Sequence, residues 1–236
     1  MAGTLRIFLV ALILTFITTT YAQTSTTSSA VSNTPSTCSP AGITALRACY
    51  QLYLATLNLP FDGAAPTYQN YVDTRQFAER AGGVQGFTKI CQAISTLHSC
   101  VSPIEQSCLN VDAFQQALNV SRADAYSYVA LYGADKWTCY DGFQLVADNL
   151  YCIEAVFYNH LDEFNNCNNI FATAAQQNNI DCSMGSTFAT CAQNFFQTYC
   201  LNAGAVFGCQ FARGSVVVFN SACNTQMPSC PTPTSN

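Results

Sequence analysis

The cysteine content constrains this chain more than any other feature. The 236 residues include fourteen cysteines but only two histidines. An even number of cysteines in an exported chain is typical of a disulfide framework, here one of seven bonds. No two cysteines lie closer than seven residues, so the C-x2-C pairs of zinc modules and thioredoxin-like redox sites are absent. We therefore expect all of them to cross-link the fold: Cys38, Cys49, Cys91, Cys100, Cys108, Cys139, Cys152, Cys167, Cys182, Cys191, Cys200, Cys209, Cys223 and Cys230.

The two ends of the chain indicate export. Residues 1–22 have the three parts of a signal peptide, with Arg6 before an apolar run and a small residue, Ala22, at the expected cleavage site. The alternative is a membrane anchor, but the apolar run from Ile7 to Ile17 is shorter than the ~20 residues that a span needs. Residues 23–37 are rich in Ser and Thr and predict a flexible stalk, and residues 231–236 predict a disordered tail. The sequence thus predicts a secreted, extracellular protein without a membrane span.

Composition supplies a core and excludes one class of partner. Half of the residues are hydrophobic, whereas only 9% are charged, against roughly 25% in ordinary soluble chains. Without the leader, seven basic and thirteen acidic side chains remain, and no basic run is present. Because phosphate neutralisation dominates nucleic-acid affinity, we exclude a nucleic-acid partner. One N-glycosylation motif, at Asn119, predicts a surface position for that residue if the motif is used.

Apolar residues recur at helical spacing in residues 38–230, so we predict a mainly α domain there. Ser39 and Pro40 form a helix-start signal, and Ser121 with Asp124 resembles a capping box. Gly133 is predicted to end the helix that this box begins.

The second half of the chain contains the longest helical pattern. Its apolar residues predict one helix over Asp141–Asn165, followed by an Asn-rich loop at 165–169. The run from Val216 to Phe219 fits either a strand or a helix.

Cysteine spacing suggests how the helices are linked. Steps of nine residues, as from Cys182 to Cys191, place neighbours on opposite sides of a helix, which predicts a helical stack with bonds to both sides. Leu-Asn follows the triplet Cys91, Cys100 and Cys108, and it also follows the triplet Cys182, Cys191 and Cys200. Upstream of each triplet, the spacing from Cys38 to Cys49 is similar to that from Cys139 to Cys152. We therefore weigh two similar halves, 38–138 and 139–230, against coincidence in a cysteine-dense chain.

No set of residues predicts catalysis. His98 and His160 lack the oriented nucleophile and carboxylate that a general base requires, and the chain has no G-x-S-x-G motif. We therefore predict no catalytic residue, no metal site and no cofactor. Aromatic residues crowd the middle of the chain, including Tyr126, Tyr128 and Tyr132; most are expected in the core and some at a binding surface.

The leader, the stalk and the widely spaced cysteines on aromatic-rich helices resemble secreted cysteine-rich domains of nematodes. The closest types are domain of unknown function nineteen and the chondroitin-proteoglycan-four type. The resemblance rests on Cys38 and Cys49, on the triplet from Cys91 to Cys108, and on Cys139 and Cys152 around Tyr140. It implies an extracellular disulfide module and no catalytic residue. The chain lacks the Ser-Gly attachment sites of the proteoglycan type, which argues against that role.

These observations favour one function over two others. The first expectation is a non-enzymatic extracellular module that interacts with a protein or a matrix component. The alternative is a carrier of a small apolar ligand, a lipid or a sterol, because amphipathic helices can line a cavity. An extracellular hydrolase is a distant third.

Overall fold

The computed structural model describes residues 37–176 and 180–232. Within these ranges the chain is helical and has no strand, and seven disulfides link the helices, which confirms the predicted disulfide-stapled α-helical stack. The predicted signal peptide (1–22), the stalk up to residue 36 and residues 233–236 of the tail lie outside the described residues.

Capping side chains set the helix starts in the first half, as the sequence predicts. Ser39 Oγ accepts a hydrogen bond from the Gly42 amide at 3.1 Å, and Ser121 Oγ accepts one from the Asp124 amide at 3.0 Å. A 3-10 turn, Ser102–Ile104, joins α2 to α3. The helices are α1 (Pro40–Thr56), α2 (Tyr68–Val101), α3 (Glu105–Cys108), α4 (Val111–Leu118) and α5 (Arg122–Thr138).

The single helix predicted over Asp141–Asn165 is wrong. Three helices cover this segment, because the backbone leaves the helical conformation at Asn149 (φ −116°, ψ 14°) and at His160 (φ −130°, ψ 24°). The loop predicted at 165–169 is wrong, because these residues lie inside α8. In the ambiguous run from Val216 to Phe219, the first two residues end α9 and the last two form a turn. The helices are α6 (Phe143–Asp148), α7 (Leu150–Asn159), α8 (Leu161–Gln176), α9 (Cys182–Val217) and α10 (Cys223–Gln226).

The two longest helices, α2 and α9, are each interrupted, and each interruption contains one residue with the same unusual backbone conformation. Gly83 interrupts α2 with φ 54° and ψ −140°, and Leu201 interrupts α9 with φ 54° and ψ −142°. Only glycine adopts this region without a steric penalty. Each long helix therefore bends and packs as two shorter segments.

Helix α5 is central, and its most extensive packing is against α9. The predicted helix end at Gly133 is wrong, because α5 continues to Thr138. Gly133 instead allows close approach: a Cβ atom there would collide with the carbonyl oxygen of Gly214 on α9. Since α5 is surrounded by other helices, Tyr126, Tyr128 and Tyr132 are all buried, and the exposed members of the mid-chain aromatic group are Tyr140 and Tyr151 instead.

All fourteen cysteines form disulfides, as predicted, and none is free. The nine-residue steps along α9 lead to different elements: Cys182 bonds to α10, Cys191 to α8, Cys200 to α7, and Cys209 to the C-terminal segment. The seven pairs are Cys38–Cys108, Cys49–Cys100, Cys91–Cys139, Cys152–Cys200, Cys167–Cys191, Cys182–Cys223 and Cys209–Cys230.

Six of these disulfides repeat one pairing order. In residues 38–139, which we call the first unit, the first cysteine pairs with the fifth, the second with the fourth and the third with the sixth. In residues 152–223, the second unit, the order is the same once Cys209 is set aside. The predicted halves 38–138 and 139–230 stay a prediction, and Cys139, bonded to Cys91, would belong to the first of them.

Seven disulfides fit a protein of an oxidising, extracellular compartment. Among the helices of the described ranges, none is both long and apolar enough to cross a membrane.

Candidate functional site

The two histidines lie in different surroundings. His98, on α2, is buried, with its ring 4.4 Å from that of Tyr132 and 5.7 Å from that of Tyr140. Burial, helped by the positive charge of Lys136, lowers the pKa of His98 to about 4. The imidazole is therefore neutral at pH 7 and packs as an aromatic core residue.

His160 lies nearer the surface, at the junction of α7 and α8. Its ring stacks on Tyr199 at 4.1 Å, and its Nδ1 lies 3.1 Å from Glu163 Oε1. Tyr199 donates a hydrogen bond to the other oxygen of Glu163 at 2.8 Å, which together with His160 lowers the pKa of Glu163. Neither histidine hydrogen-bonds a serine or threonine hydroxyl within the described residues.

Asn119 is exposed at the end of α4, in the left-handed conformation with φ 52°. Its side-chain nitrogen donates a hydrogen bond of 3.4 Å to the Gly63 carbonyl. The position is accessible, and its glycosylation stays a prediction. No group of three or more His, Cys, Asp and Glu side chains in the described part of the chain could hold a metal ion.

A cavity of about 100 Å³ lies between α2, α5, α7 and the second segment of α9. Its lining thus comes from both six-cysteine units. Aromatic rings form much of the wall, including Tyr68, Phe157 and Phe207. Typical pockets for drug-sized ligands measure ~300–1,000 Å³. The cavity therefore suits a molecule of a few heavy atoms and does not favour the lipid or sterol carrier.

Charged side chains line one side of this cavity. Arg75, on α2, pairs through Nε with Glu79 Oε1 at 3.0 Å and through Nη1 with Asp135 Oδ2 at 2.8 Å. All three side chains are buried. The second oxygen of Asp135 is buried and has no hydrogen-bond partner among the described residues. One guanidinium thus faces two carboxylates, with one acceptor oxygen left over.

A third carboxyl group, that of Glu154 on α7, adjoins this cluster. Burial, followed by the charge of Glu79 and a hydrogen bond with it, raises the pKa of Glu154 to about 8. Two facing carboxyl groups in a poorly solvated site cannot both ionise easily, so Glu154 keeps its proton at neutral pH. Glu154 is only half-buried, so this side of the cavity reaches solvent.

Exposed aromatic residues lie next to the charged side of the cavity. Phe77 on α2 and Tyr151 and Tyr158 on α7 are 70%, 76% and 69% exposed. The Arg80 guanidinium lies 4.8 Å from the centre of the Tyr158 ring, and Tyr151 covers the bend of α2 at Gly83. We call Phe77, Arg80, Tyr151 and Tyr158 the aromatic patch.

The sequence analysis missed most of this region. It noted that aromatic residues crowd this part of the chain, but it assigned no role to the charged residues. The charged residues come from three helices, so nothing local links Arg75, Asp135 and Glu154. One local signal was present: Arg75 and Glu79, four residues apart on α2, form a pair on one helix face.

The arrangement defines a disulfide-stapled helical protein with a charged cavity and an adjacent aromatic surface. In comparisons with known proteins, no family model, no curated protein and no solved structure matched this chain. The resemblance to nematode cysteine-rich domains therefore stays a proposal.

Proposed function

We propose that the protein is an extracellular, non-enzymatic module that binds a partner protein through the aromatic patch. The exposure of three aromatic side chains on neighbouring helices, one of which stacks with Arg80, carries this proposal. Tyrosine and arginine are enriched among the residues that dominate binding energy at protein interfaces. Arg80 stacked on the exposed ring of Tyr158 provides both elements at one place on the surface.

The chemistry of the patch indicates what the partner offers. Arg80 forms no ion pair with a residue that the structure describes. A carboxylate next to an apolar side chain would satisfy both the guanidinium and the rings. A polyanionic matrix chain is less suitable, because acidic side chains exceed basic ones over the whole sequence.

The test is a binding experiment with the extracellular fluid of the source organism. Immobilised protein is compared with the double variant Tyr151→Ala/Tyr158→Ala and with Leu52→Ala, which truncates an equally exposed residue on α1. We expect a defined protein to be retained by the wild type and by Leu52→Ala but lost from the patch variant. Retention by the patch variant, or no retained protein at all, would contradict the proposal.

The hydrolase hypothesis has a separate test. Replacing both His98 and His160 by alanine should leave any ester, peptide or glycoside hydrolysis by the purified protein unchanged. An activity abolished without unfolding, judged by circular dichroism, would instead make the protein an enzyme.

A further inference from the structure

We infer that the cavity between α2, α5, α7 and α9 binds a small organic monocation, a protonated primary amine of a few carbon atoms. Its contacts would be the carboxyl groups of Glu79 and Glu154 and the unpaired oxygen of Asp135. The aromatic wall would surround its alkyl group. This site is separate from the partner surface proposed above, and either could exist without the other.

The charged groups that line the cavity indicate that the ligand is a cation. The cavity is lined by three carboxyl groups, those of Glu79, Asp135 and Glu154, and by the single guanidinium of Arg75. Arg75 is already paired with two of the carboxylates. An anion would meet uncompensated negative charge in a poorly solvated site, whereas a monocation would offset part of that charge.

Hydrogen bonding decides the kind of cation. Asp135 is 4% exposed, and its Oδ1 has no hydrogen-bond partner within the described ranges. A buried acceptor without a donor is costly, and an ammonium group supplies three donors and no acceptor. Its three N–H groups match the three carboxyl groups that line the cavity.

Size and access limit the rest of the ligand. The cavity measures about 100 Å³, and an apolar cavity of ~150 Å³ in another protein accepts benzene. An alkyl group of a few carbons therefore fits against Tyr68 and Phe157, which line the site. Half-buried Gln76 and Glu154 lie where the cavity meets solvent, and they give a small molecule a path inward.

Binding should release a proton. The charged and titratable groups around Glu154 are Arg75, Glu79 and Arg80 on α2, Asp135 on α5 and Tyr68 at the start of α2; from α9 the lining residues are Phe207 and Phe211, which do not titrate. An ammonium group beside Glu154 favours its ionised form. Because the pKa of Glu154 is about 8 without ligand, affinity should rise about tenfold from pH 6 to pH 7 and level off above pH 8.

The experiment uses two probes of the same shape, isopropylammonium and isopropanol, with the full secreted protein. Titration calorimetry and NMR shifts should show the amine binding at least about tenfold more tightly than the alcohol, with proton release at pH 7. Glu154→Gln keeps the shape of the side chain and should weaken amine binding about tenfold or more. Asp162→Asn, which neutralises an exposed carboxylate on α8, should leave it unchanged.

Four results would overturn the inference. These are equal binding of the alcohol and the amine, full binding by Glu154→Gln, affinity independent of pH between 6 and 8, or a cavity that holds only water at saturating amine. Circular dichroism of Glu154→Gln separates lost binding from lost folding, because the substitution only replaces a protonated carboxyl group by an amide.

Discussion

The two six-cysteine units share one disulfide order but differ in what they enclose. The interior of the first unit is rich in tyrosine, with the hydroxyl groups of Tyr53 and Tyr71 2.8 Å apart. The interior of the second is rich in phenylalanine, with Phe171 and Phe188 stacked at 5.5 Å. Every buried charged side chain among the described residues, Arg75, Glu79 and Asp135, belongs to the first unit.

This difference shows what the disulfides allow. A buried ion cluster is weak evidence for stability, because removing charges from water costs about as much as their attraction returns. A cross-linked unit tolerates such a cluster, since each disulfide contributes roughly 2–4 kcal/mol. The disulfides that hold an ordinary apolar core in the second unit thus hold buried charged groups in the first.

The largest expected effect concerns equivalent disulfides. Cys49–Cys100 and Cys167–Cys191 are the inner bonds of the two units. Their sequence separations of 51 and 24 residues suggest that they contribute differently to the free energy of unfolding. The outer bond Cys38–Cys108, however, shortens the first loop to about 20 residues, so each double Cys→Ala variant should lose about 3 kcal/mol.

Guanidinium unfolding under non-reducing conditions measures these losses, and full reduction serves as the control that should unfold both units. If one variant loses more than twice as much unfolding free energy as the other, the same pairing order does not give the two inner disulfides the same contribution to stability.

The second prediction concerns the contact between the units. A Cβ atom at Gly214 would lie 2.6 Å from the Gly133 carbonyl oxygen, and one at Gly133 would collide with the Gly214 carbonyl. Gly133→Ala and Gly214→Ala should each cost about 2 kcal/mol, because the helices must separate. The double variant should cost less than the sum, since both substitutions break one contact.

Gly82→Ala is the matched control, because nothing lies within 4 Å of a Cβ atom at that exposed helical position. It should change the unfolding free energy by less than about 1 kcal/mol. If the losses of unfolding free energy for Gly133→Ala and Gly214→Ala are additive, α5 and α9 do not contact each other at these glycines.

The third prediction compares the two histidines. His98 has its pKa lowered to about 4, so the unfolded chain binds more protons than the native protein between that value and its ordinary value near 6.5. Stability should therefore fall as pH falls through this range, by about 2 kcal/mol from pH 7 to pH 5. Thermal unfolding followed at several pH values measures the slope.

His98→Phe keeps an aromatic ring between Tyr132 and Tyr140 but cannot be protonated, and should remove this part of the slope. His160→Gln in the second unit should retain it. An unchanged slope in His98→Phe would place the acid sensitivity elsewhere.

Sequence predicted the disulfide-stapled helical class well, because helix caps are local signals and an even number of cysteines indicates that all are bonded, although it does not give the pairs. Ser39 and Ser121 cap the helices that they were predicted to begin. The prediction of one long helix is wrong at Asn149, whose side-chain nitrogen donates a hydrogen bond to the Leu145 carbonyl at 2.9 Å. Such side-chain bonds compete with the helix without changing its apolar period.

The cavity could not be predicted from the sequence, for a different reason. Arg75, Asp135 and Glu154 lie far apart along the chain and meet only when three helices pack. Which of the crowded aromatic residues are buried could not be predicted either, because the exposure of the α5 tyrosines depends on how many helices surround α5.

The smallest expected effect compares the two helix bends. Gly83 and Leu201 share φ 54°, but a non-glycine residue pays ~1–3 kcal/mol for such a conformation. Leu201 is also exposed, so its side chain contributes little packing. Leu201→Gly should therefore stabilise the protein by about 1 kcal/mol, after the entropy that glycine adds to the unfolded chain is subtracted.

Two variants separate strain from side-chain effects in that comparison. Leu201→Ala shortens the same side chain but keeps the strained backbone, so its unfolding free energy should equal that of the wild type. Gly83→Ala introduces the strain into α2, where its Cβ atom would also lie 3.0 Å from the Tyr151 hydroxyl, and should cost about 1–2 kcal/mol. If Leu201→Ala stabilises as much as Leu201→Gly, the gain comes from removing an exposed leucine, and the bend in α9 is not strained.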